Sequence, residues 1–288
     1  MRFSVTKIMS IQPMSSLPLA TTHLGFIGGG NMASAIIGGL LKAGMRPAQF
    51  TIVEPFEATR AKLQADYGIA SQATADKTLA KCDLVVWAVK PQAVKEAAAP
   101  VSPFTQDALH LSVAAGVTSS SIANCLGTQR VVRAMPNTPA LIGQGITGLF
   151  AREGTTDMDR ALVDAVIGVT GQHLWFDEES KLDAVTAISG SGPAYVFYFL
   201  EAMVEAALGM GLTEAQARSL ATSTFAGSTA LAAASNEPLS VLRERVTSKG
   251  GTTYAALTHM EDQHVKAAFV AAMQAAAARA KELGAQFG

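Results

Sequence analysis

The sequence predicts an N-terminal α/β domain built on a parallel sheet, followed by an all-α domain, and three observations carry that expectation. From His23 onward, short apolar runs alternate with amphipathic stretches, the pattern of βαβ units. Beyond about Asp177 the strand signals end, and Ala-rich helical stretches run through Leu283. With 288 residues, 49 % of them hydrophobic and 16 % charged, the chain has enough apolar material for two cores. The expected divisions are a flexible extension over residues 1–22, the α/β domain over 23–178 and the helical domain over 179–288.

Arg2 and Lys7 are the only clear charges of the first segment, Ser and Thr are frequent, and no apolar run reaches signal-peptide length. It reads as a floppy extension, although its lack of acids leaves a transit-peptide reading open. Strands are expected at Leu24–Ile27, Phe50–Val53, Leu84–Val89, Leu109–Ala114 and Val131–Ala134, each bounded by Gly, Pro, Asp or Asn. Helices are expected at Asn31–Lys42, at Glu57–Tyr67 and after the Ser/Thr cluster 118–121. In the second domain Gly209–Gly211, Asn236–Pro238 and Gly250–Gly251 separate the helices. Val196–Leu208 and Ala267–Ala280 carry apolar residues on more than one face, which implies burial against another subunit or else a tight monomeric bundle of small side chains.

Several function classes are excluded. A net charge of −1 with no basic stripe argues against nucleic acid, and no run of about eighteen apolar residues argues against a membrane span. Cys82 and Cys125 fit neither metal spacing nor a disulfide framework, so no metal is expected and a reducing, cytoplasmic setting fits. No Ser-His-Asp or Cys-His arrangement appears, and His259 and His264 read as structural residues of a late helix.

In Gly25-Phe26-Ile27-Gly28-Gly29-Gly30-Asn31-Met32-Ala33, the residues Gly28, Gly30 and Ala33 occupy the three positions of the dinucleotide fingerprint. Gly28 allows the tight turn, Gly30 lets backbone approach a pyrophosphate, and Ala33 permits close helix–strand packing. Together with the preceding strand and following helix, this predicts a Rossmann-like domain binding NADPH or NADH. Glu54, at the end of the second strand, would accept hydrogen bonds from the adenosine ribose and repel a 2′-phosphate, which leans toward NADH. Arg60, about a turn further on, is a counterweight as a phosphate ligand, and a solvated loop acid is the plainer reading of Glu54.

Ala88-Val89-Lys90-Pro91 and Ala114-Ala115-Gly116 lie at strand C-termini, where open α/β sheets bind ligands, and their small residues leave room for a flat ring and ribose. Lys90 reads as a catalytic acid or, more simply, as an exposed loop Lys. Arg133-Ala134-Met135-Pro136-Asn137-Thr138-Pro139-Ala140 makes a stiff polar loop, lining a site or merely connecting elements. Ser189-Gly190-Ser191-Gly192-Pro193 is expected to open a long helix, with N–H groups near Ser191 free for a carboxylate. Thr247-Ser248-Lys249-Gly250-Gly251-Thr252-Thr253 is a Gly-Gly turn among hydroxyls, an anion-binding nest.

In their order and spacing these motifs resemble those of the pyrroline-5-carboxylate reductases over nearly everything after His23. The resemblance implies a Rossmann domain, an all-α dimerisation domain interlocking in a homodimer that often assembles into larger rings, and reduction of 1-pyrroline-5-carboxylate to L-proline. It implies that Ile27, Gly28, Gly29, Gly30, Asn31, Met32, Ala88, Val89, Lys90, Pro91, Ala114, Ala115 and Gly116 hold the cofactor. It likewise assigns Ser191, Ser248, Gly250, Gly251 and Thr252 to the substrate, and Thr253, as the catalytic residue, to a hydrogen bond with the ring nitrogen. Two departures stand out: Lys249 replaces a common Pro, and Glu54 sits where others carry small or basic groups suited to NADPH. The rival readings are a β-hydroxyacid dehydrogenase, for which Lys181 is the nearest candidate base, and a non-catalytic dinucleotide sensor.

Overall fold

A computed structural model describes residues 19–287, which form two compact units. One runs to Pro193 and resumes from Ala275; the other is Ala194–Gln274.

The first unit holds a seven-stranded sheet in the order β2-β1-β3-β4-β5-β6-β7. β1 (Leu24–Ile27), β2 (Phe50–Val53), β3 (Leu84–Trp87), β4 (Leu109–Ser112) and β5 (Val131–Met135) are mutually parallel. Every residue of these five strands is buried, as expected where helices cover both faces. The period-2 pleat divides β3 cleanly. Leu84 and Val86 join a core with Phe26, Ile36, Leu40, Ile52 and Leu111, while Val85 and Trp87 join one with Val94, Ala98, Ile122 and Val131. The first core takes its helical side from α1 (Asn31–Lys42), and the second from α3 (Val94–Val101) and α4 (Ser119–Leu126). Helix α2 (Glu57–Tyr67) ends at Gly68, whose φ of 68° is left-handed.

β3 and β4 end two residues earlier than the sequence predicts, at Trp87 and Ser112, because Ala88–Val89 and Val113–Ala114 peel away at the C-terminal edge of the sheet. β6 (Gly145–Ala151), α5 (Asp157–Gly168) and β7 (Gly171–Phe176) were not anticipated. β6 enters antiparallel to β5, and β7 pairs parallel to β6. Glycines at 145, 148 and 171 and the polar Gln172 and His173 blunt the strand signal here. α5 begins with a capping box in which Thr156 Oγ1 accepts from Asp159 N and Asp159 Oδ2 accepts from Thr156 N. The same buried Asp159 accepts a two-pronged contact from Arg130.

Of the extension expected to be flexible, residues 1–18 lie outside the described residues. Leu19–Thr22 is anchored: Leu19 is fully buried, and the Gln49 amide donates to the carbonyls of Leu19, Ala20 and Thr22. One side-chain amide thus holds three carbonyls within a four-residue stretch that a composition argument could not place.

After β7 come α6 (Lys181–Val185), a π-helical turn over Thr186–Gly190 and α7 (Gly192–Gly209). The second unit contains α7 from Ala194 on, α8 (Glu214–Ala233), α9 (Leu239–Arg245), α10 (Thr252–Asp262) and the first part of α11 (Val265–Phe287). The expected breaks all separate helices. Tyr195, Phe199 and Phe269 pack edge-on, yet between residues 194 and 274 only Ala217 and Ala221 are buried. Phe197, Tyr198, Met210, Leu220 and Leu231 are each more than half exposed. An apolar surface of that kind marks an interface.

Candidate active site

The Gly-rich turn follows β1 at the C-terminal edge of the parallel strands. Gly28 N donates to Val53 O (2.8 Å) and Ala88 N to Ile27 O (2.8 Å), so the turn, the end of β2 and the start of the 88–91 loop are fastened together. Gly28 has φ +94°, and a Cβ there would lie 2.7 Å from Ala88 O; no other residue fits. Gly30 is the N-cap of α1, with no side-chain cap and nothing within 4 Å of where its Cβ would stand. The positive end of the helix is thus left without a side-chain cap and with open space at Gly30, which suits a pyrophosphate.

Glu54 is neither solvated nor loose. It is 5 % exposed, its Oε2 accepts from Gly29 N (2.8 Å) and its Oε1 from Phe56 N (2.9 Å). Arg60 Nη1 donates to the carbonyls of Glu54 (3.0 Å) and Pro55 (2.7 Å), so this cation is already tied to the loop backbone.

Ala88 and Val89 are half-buried, and Lys90 is exposed as the N-cap of the short 3₁₀ turn at Pro91–Ala93. Val113 N donates to Trp87 O (3.0 Å), which aligns the 114–116 loop beside the 88–91 loop. In that loop Ala114 and Gly116 are buried and Ala115 is exposed. Asn137 Oδ1 accepts from Ile146 N (3.0 Å), so in the described residues the Pro136–Pro139 segment serves to close β5 onto β6. All the sequence-predicted cofactor residues thus gather along one edge of one sheet.

The Ser189–Pro193 motif opens the first long helix as expected, α7 starting at Gly192 with Pro193 in its first turn, but its surroundings differ from expectation. It does not open a helix from a free end, because α6 runs into it through the π-helical turn, and Ser191 N is spent on Thr186 O (2.8 Å). A π turn is a common mark of functional segments, but the N–H of Ser191 is already paired and not free for a carboxylate. Lys181 is paired to Asp177 (2.5 Å) and Glu178 (3.6 Å), and the hydrogen bond to Asp177 raises its pKa. It stays a cation and is unsuited to act as a base.

Within the helical unit, the turn between α9 and α10 has Gly251 N donating to Ser248 O (3.0 Å), with Gly250 at φ 76°. That left-handed conformation is open to Gly and strained for other residues. Gly251 is the N-cap of α10 with no side-chain cap, and Thr252 and Thr253 begin the helix. Their hydroxyls and the uncapped N–H groups stand together, with Ser248, Lys249, Gly250 and Thr252 exposed and Thr253 half-buried. This arrangement can bind a carboxylate and offer a hydroxyl beside it.

Sequence reasoning missed two features behind the cofactor loops. Trp87 Nε1 donates to His110 Nδ1 (3.1 Å) between β3 and β4, and Glu179 accepts three hydrogen bonds from Ser119 and Arg133. Neither carries a local motif, since each pair is separated by 23 to 60 residues. Among the described residues no group of three His, Cys, Asp or Glu is arranged to hold a metal.

Comparison with known proteins agrees with these parts. Residues 23–116 match the family model described as NADP oxidoreductase coenzyme F420-dependent, and residues 179–283 that described as pyrroline-5-carboxylate reductase dimerisation. A pyrroline-5-carboxylate reductase of Haemophilus influenzae is 41 % identical over 90 % of this chain and 97 % of its own length. A solved pyrroline-5-carboxylate reductase of Coxiella burnetii superposes with TM-score 0.84 at 35 % identity, covering 91 % of this chain and 98 % of that one. A Plasmodium falciparum pyrroline carboxylate reductase, solved with NADP bound, gives 0.83 at 27 % identity over the same shares. The chain belongs to the pyrroline-5-carboxylate reductase family.

Proposed function

We propose that this chain reduces the C=N bond of 1-pyrroline-5-carboxylate to L-proline with NAD(P)H, as a homo-oligomer in the cytoplasm, closing proline biosynthesis. The observation that carries the reading is the uncapped, hydroxyl-lined start of α10, in a family whose members carry this activity. The free thiols Cys82 and Cys125 suit a reducing compartment. We read 23–178 as the cofactor domain and 179–288 as the substrate and dimerisation domain.

The cofactor, when bound, supplies the hydride. In our reading Ile27, Gly28, Gly29, Gly30, Asn31 and Met32 hold its pyrophosphate at the start of α1. Ala88, Val89, Lys90 and Pro91, with Ala114, Ala115 and Gly116, take the nicotinamide side. Ser248, Gly250 and Thr252 hold the substrate carboxylate through hydroxyl and backbone N–H groups, Gly251 shapes the turn with its own N–H bonded to Ser248 O, and Ser191, the residue before α7, completes the substrate set. The Thr253 hydroxyl oxygen accepts from the N–H of the protonated ring nitrogen and fixes the ring's orientation. A protonated imine is already electrophilic, so the chain needs positioning and nitrogen-side hydrogen bonding more than a strong acid.

Glu54 sets the adenosine end. Each of its oxygens keeps a lone pair for a ribose hydroxyl, and the two backbone N–H groups hold its charge in place against a 2′-phosphate. NADH is the cofactor we assign. The test is oxidation of NADH and of NADPH, with and without 1-pyrroline-5-carboxylate. Substrate-dependent oxidation that is faster with NADH supports both parts, NADPH preference removes the role of Glu54, and no oxidation in folded protein removes the substrate.

A further inference from the structure

Glu179 joins parts of the first unit that no motif connects. Its Oε1 accepts from Ser119 N (2.7 Å) and from Arg133 Nη1 (3.0 Å), and its Oε2 accepts from Ser119 Oγ (2.6 Å). Ser119 is fully buried in the first turn of α4, and Arg133 is 4 % exposed on β5. Arg152 reinforces the same end of α4, donating from Nη1 to Ser120 Oγ (2.8 Å) and Ser119 Oγ (3.3 Å). A carboxylate at the first turn of a helix satisfies N–H groups the helix itself cannot use.

The placement matters because of what lies between. Arg133 is in register with Ser112, the last residue of β4, and Ser119 opens the helix that follows β4. Glu179 therefore ties Ser119, at the exit of the 113–118 loop, to the β5 residue that pairs with Ser112 at its entrance. Strand order β2-β1-β3-β4 sets the direction of a dinucleotide laid along this edge. With adenosine at Glu54 beyond β2 and pyrophosphate after β1, the nicotinamide half extends over β3 and β4, onto Ala114–Gly116.

We propose that Glu179 is a positioning residue for the nicotinamide half of the cofactor, acting through Ser119 and Arg133 on the 114–116 loop. The inference rests on the placement of the nicotinamide over that loop. Glu179 touches no cofactor in this scheme; it holds the loop at the height and tilt that a bound ring requires. Loosening it leaves the adenosine end, anchored by Gly28, Gly29 and Glu54, undisturbed.

The experiment compares the dissociation constants of NADH and of ADP-ribose, which lacks the nicotinamide, for wild type, Glu179→Ala, Glu179→Gln, Ser119→Ala and Ala115→Leu. For Glu179→Ala we expect NADH binding weakened about tenfold or more and ADP-ribose binding unchanged within about twofold, with Glu179→Gln, which keeps an acceptor, between it and wild type. A merely structural role would weaken both ligands alike. Equal weakening, or wild-type NADH binding in folded variants, overturns the proposal. If Glu179→Ala does not fold, Ser119→Ala, which removes the hydroxyl's bond to Glu179 and its long contact with Arg152 but keeps the Ser119 N–H bond, carries the same comparison with a shift of about threefold. Ala115→Leu separates the premise from the proposal. If it weakens NADH while the Glu179 and Ser119 variants do not, only the role of Glu179 falls, whereas if it leaves NADH binding intact the nicotinamide placement falls with it.

Discussion

Trp87 donates its indole N–H to His110 Nδ1 across 3.1 Å, and Nε2 of the same imidazole lies 3.2 Å from Thr105 O. Both bonds are satisfied only by the neutral tautomer with its proton on Nε2, and burial pushes the His110 pKa down to about 4. Because the folded value lies below the unfolded one, the unfolded chain takes up this proton first. Stability is unaffected by this group above about pH 6.5 and falls as pH drops from there toward 4, by up to about 3 kcal/mol. Melting curves of wild type and His110→Gln across pH 7.5 to 4.5 check this. The wild type should lose more stability over that window than the variant, and parallel curves would refute it.

At the start of α10, Thr253→Ala should lower kcat/KM for 1-pyrroline-5-carboxylate by about tenfold or more, the value of one positioned hydrogen bond. Thr253→Ser should recover most of it. Steady-state kinetics at saturating cofactor decide, and a wild-type rate in the alanine variant would end the assignment.

At the adenosine end, Glu54→Ser removes the fixed charge while leaving a small hydrogen-bonding group. The ratio of kcat/KM for NADH over NADPH should fall by at least about tenfold, roughly 1.4 kcal/mol of discrimination. An unchanged ratio would mean that Arg60 or another group governs selection.

Gly28→Ala places a methyl 2.7 Å from Ala88 O at a left-handed φ. Strain of this kind costs on the order of 1–3 kcal/mol, and the turn must shift away from the phosphate position. Dinucleotide affinity measured by fluorescence should collapse, with a lowered melting temperature. Gly30→Ala, where space is open, should retain the fold and lose affinity only.

Because the helical unit buries so little on its own, the melting temperature should rise with protein concentration, as folding coupled to association requires. Melts over a hundredfold dilution series test this, and a concentration-independent midpoint would indicate a self-sufficient subunit.

Much of this was legible in sequence wherever the governing contact is local. β1, α1, β2 and α2 were placed residue for residue, because a Gly-rich turn and apolar runs bounded by Pro and Gly signal themselves within a few positions. The same holds for the Gly250–Gly251 break, where a positive φ demands its residue type. β6 and β7 escaped because glycines and polar residues on a partly exposed sheet margin erase the apolar run. The fate of Ser191 escaped because a π turn has no composition of its own, and Glu179 because its partners are 46 and 60 residues away. What Glu54 does with its charge depended on Gly29 and Phe56 N–H directions that no spacing reveals.

The helical stretch from Ala194 to Gln274, with two alanines for an interior, has a genetic corollary. A subunit whose interior is completed by a neighbour shares its lesions with that neighbour. Substitutions on the exposed apolar faces of α7 and α8 should thus act in trans: co-expressed with wild-type chain, a variant such as Phe197→Asp would draw good subunits into poor assemblies. Lesions confined to the cofactor cradle would instead be diluted by intact partners. Dominance, then, should follow the boundary between the two units rather than distance from the chemistry.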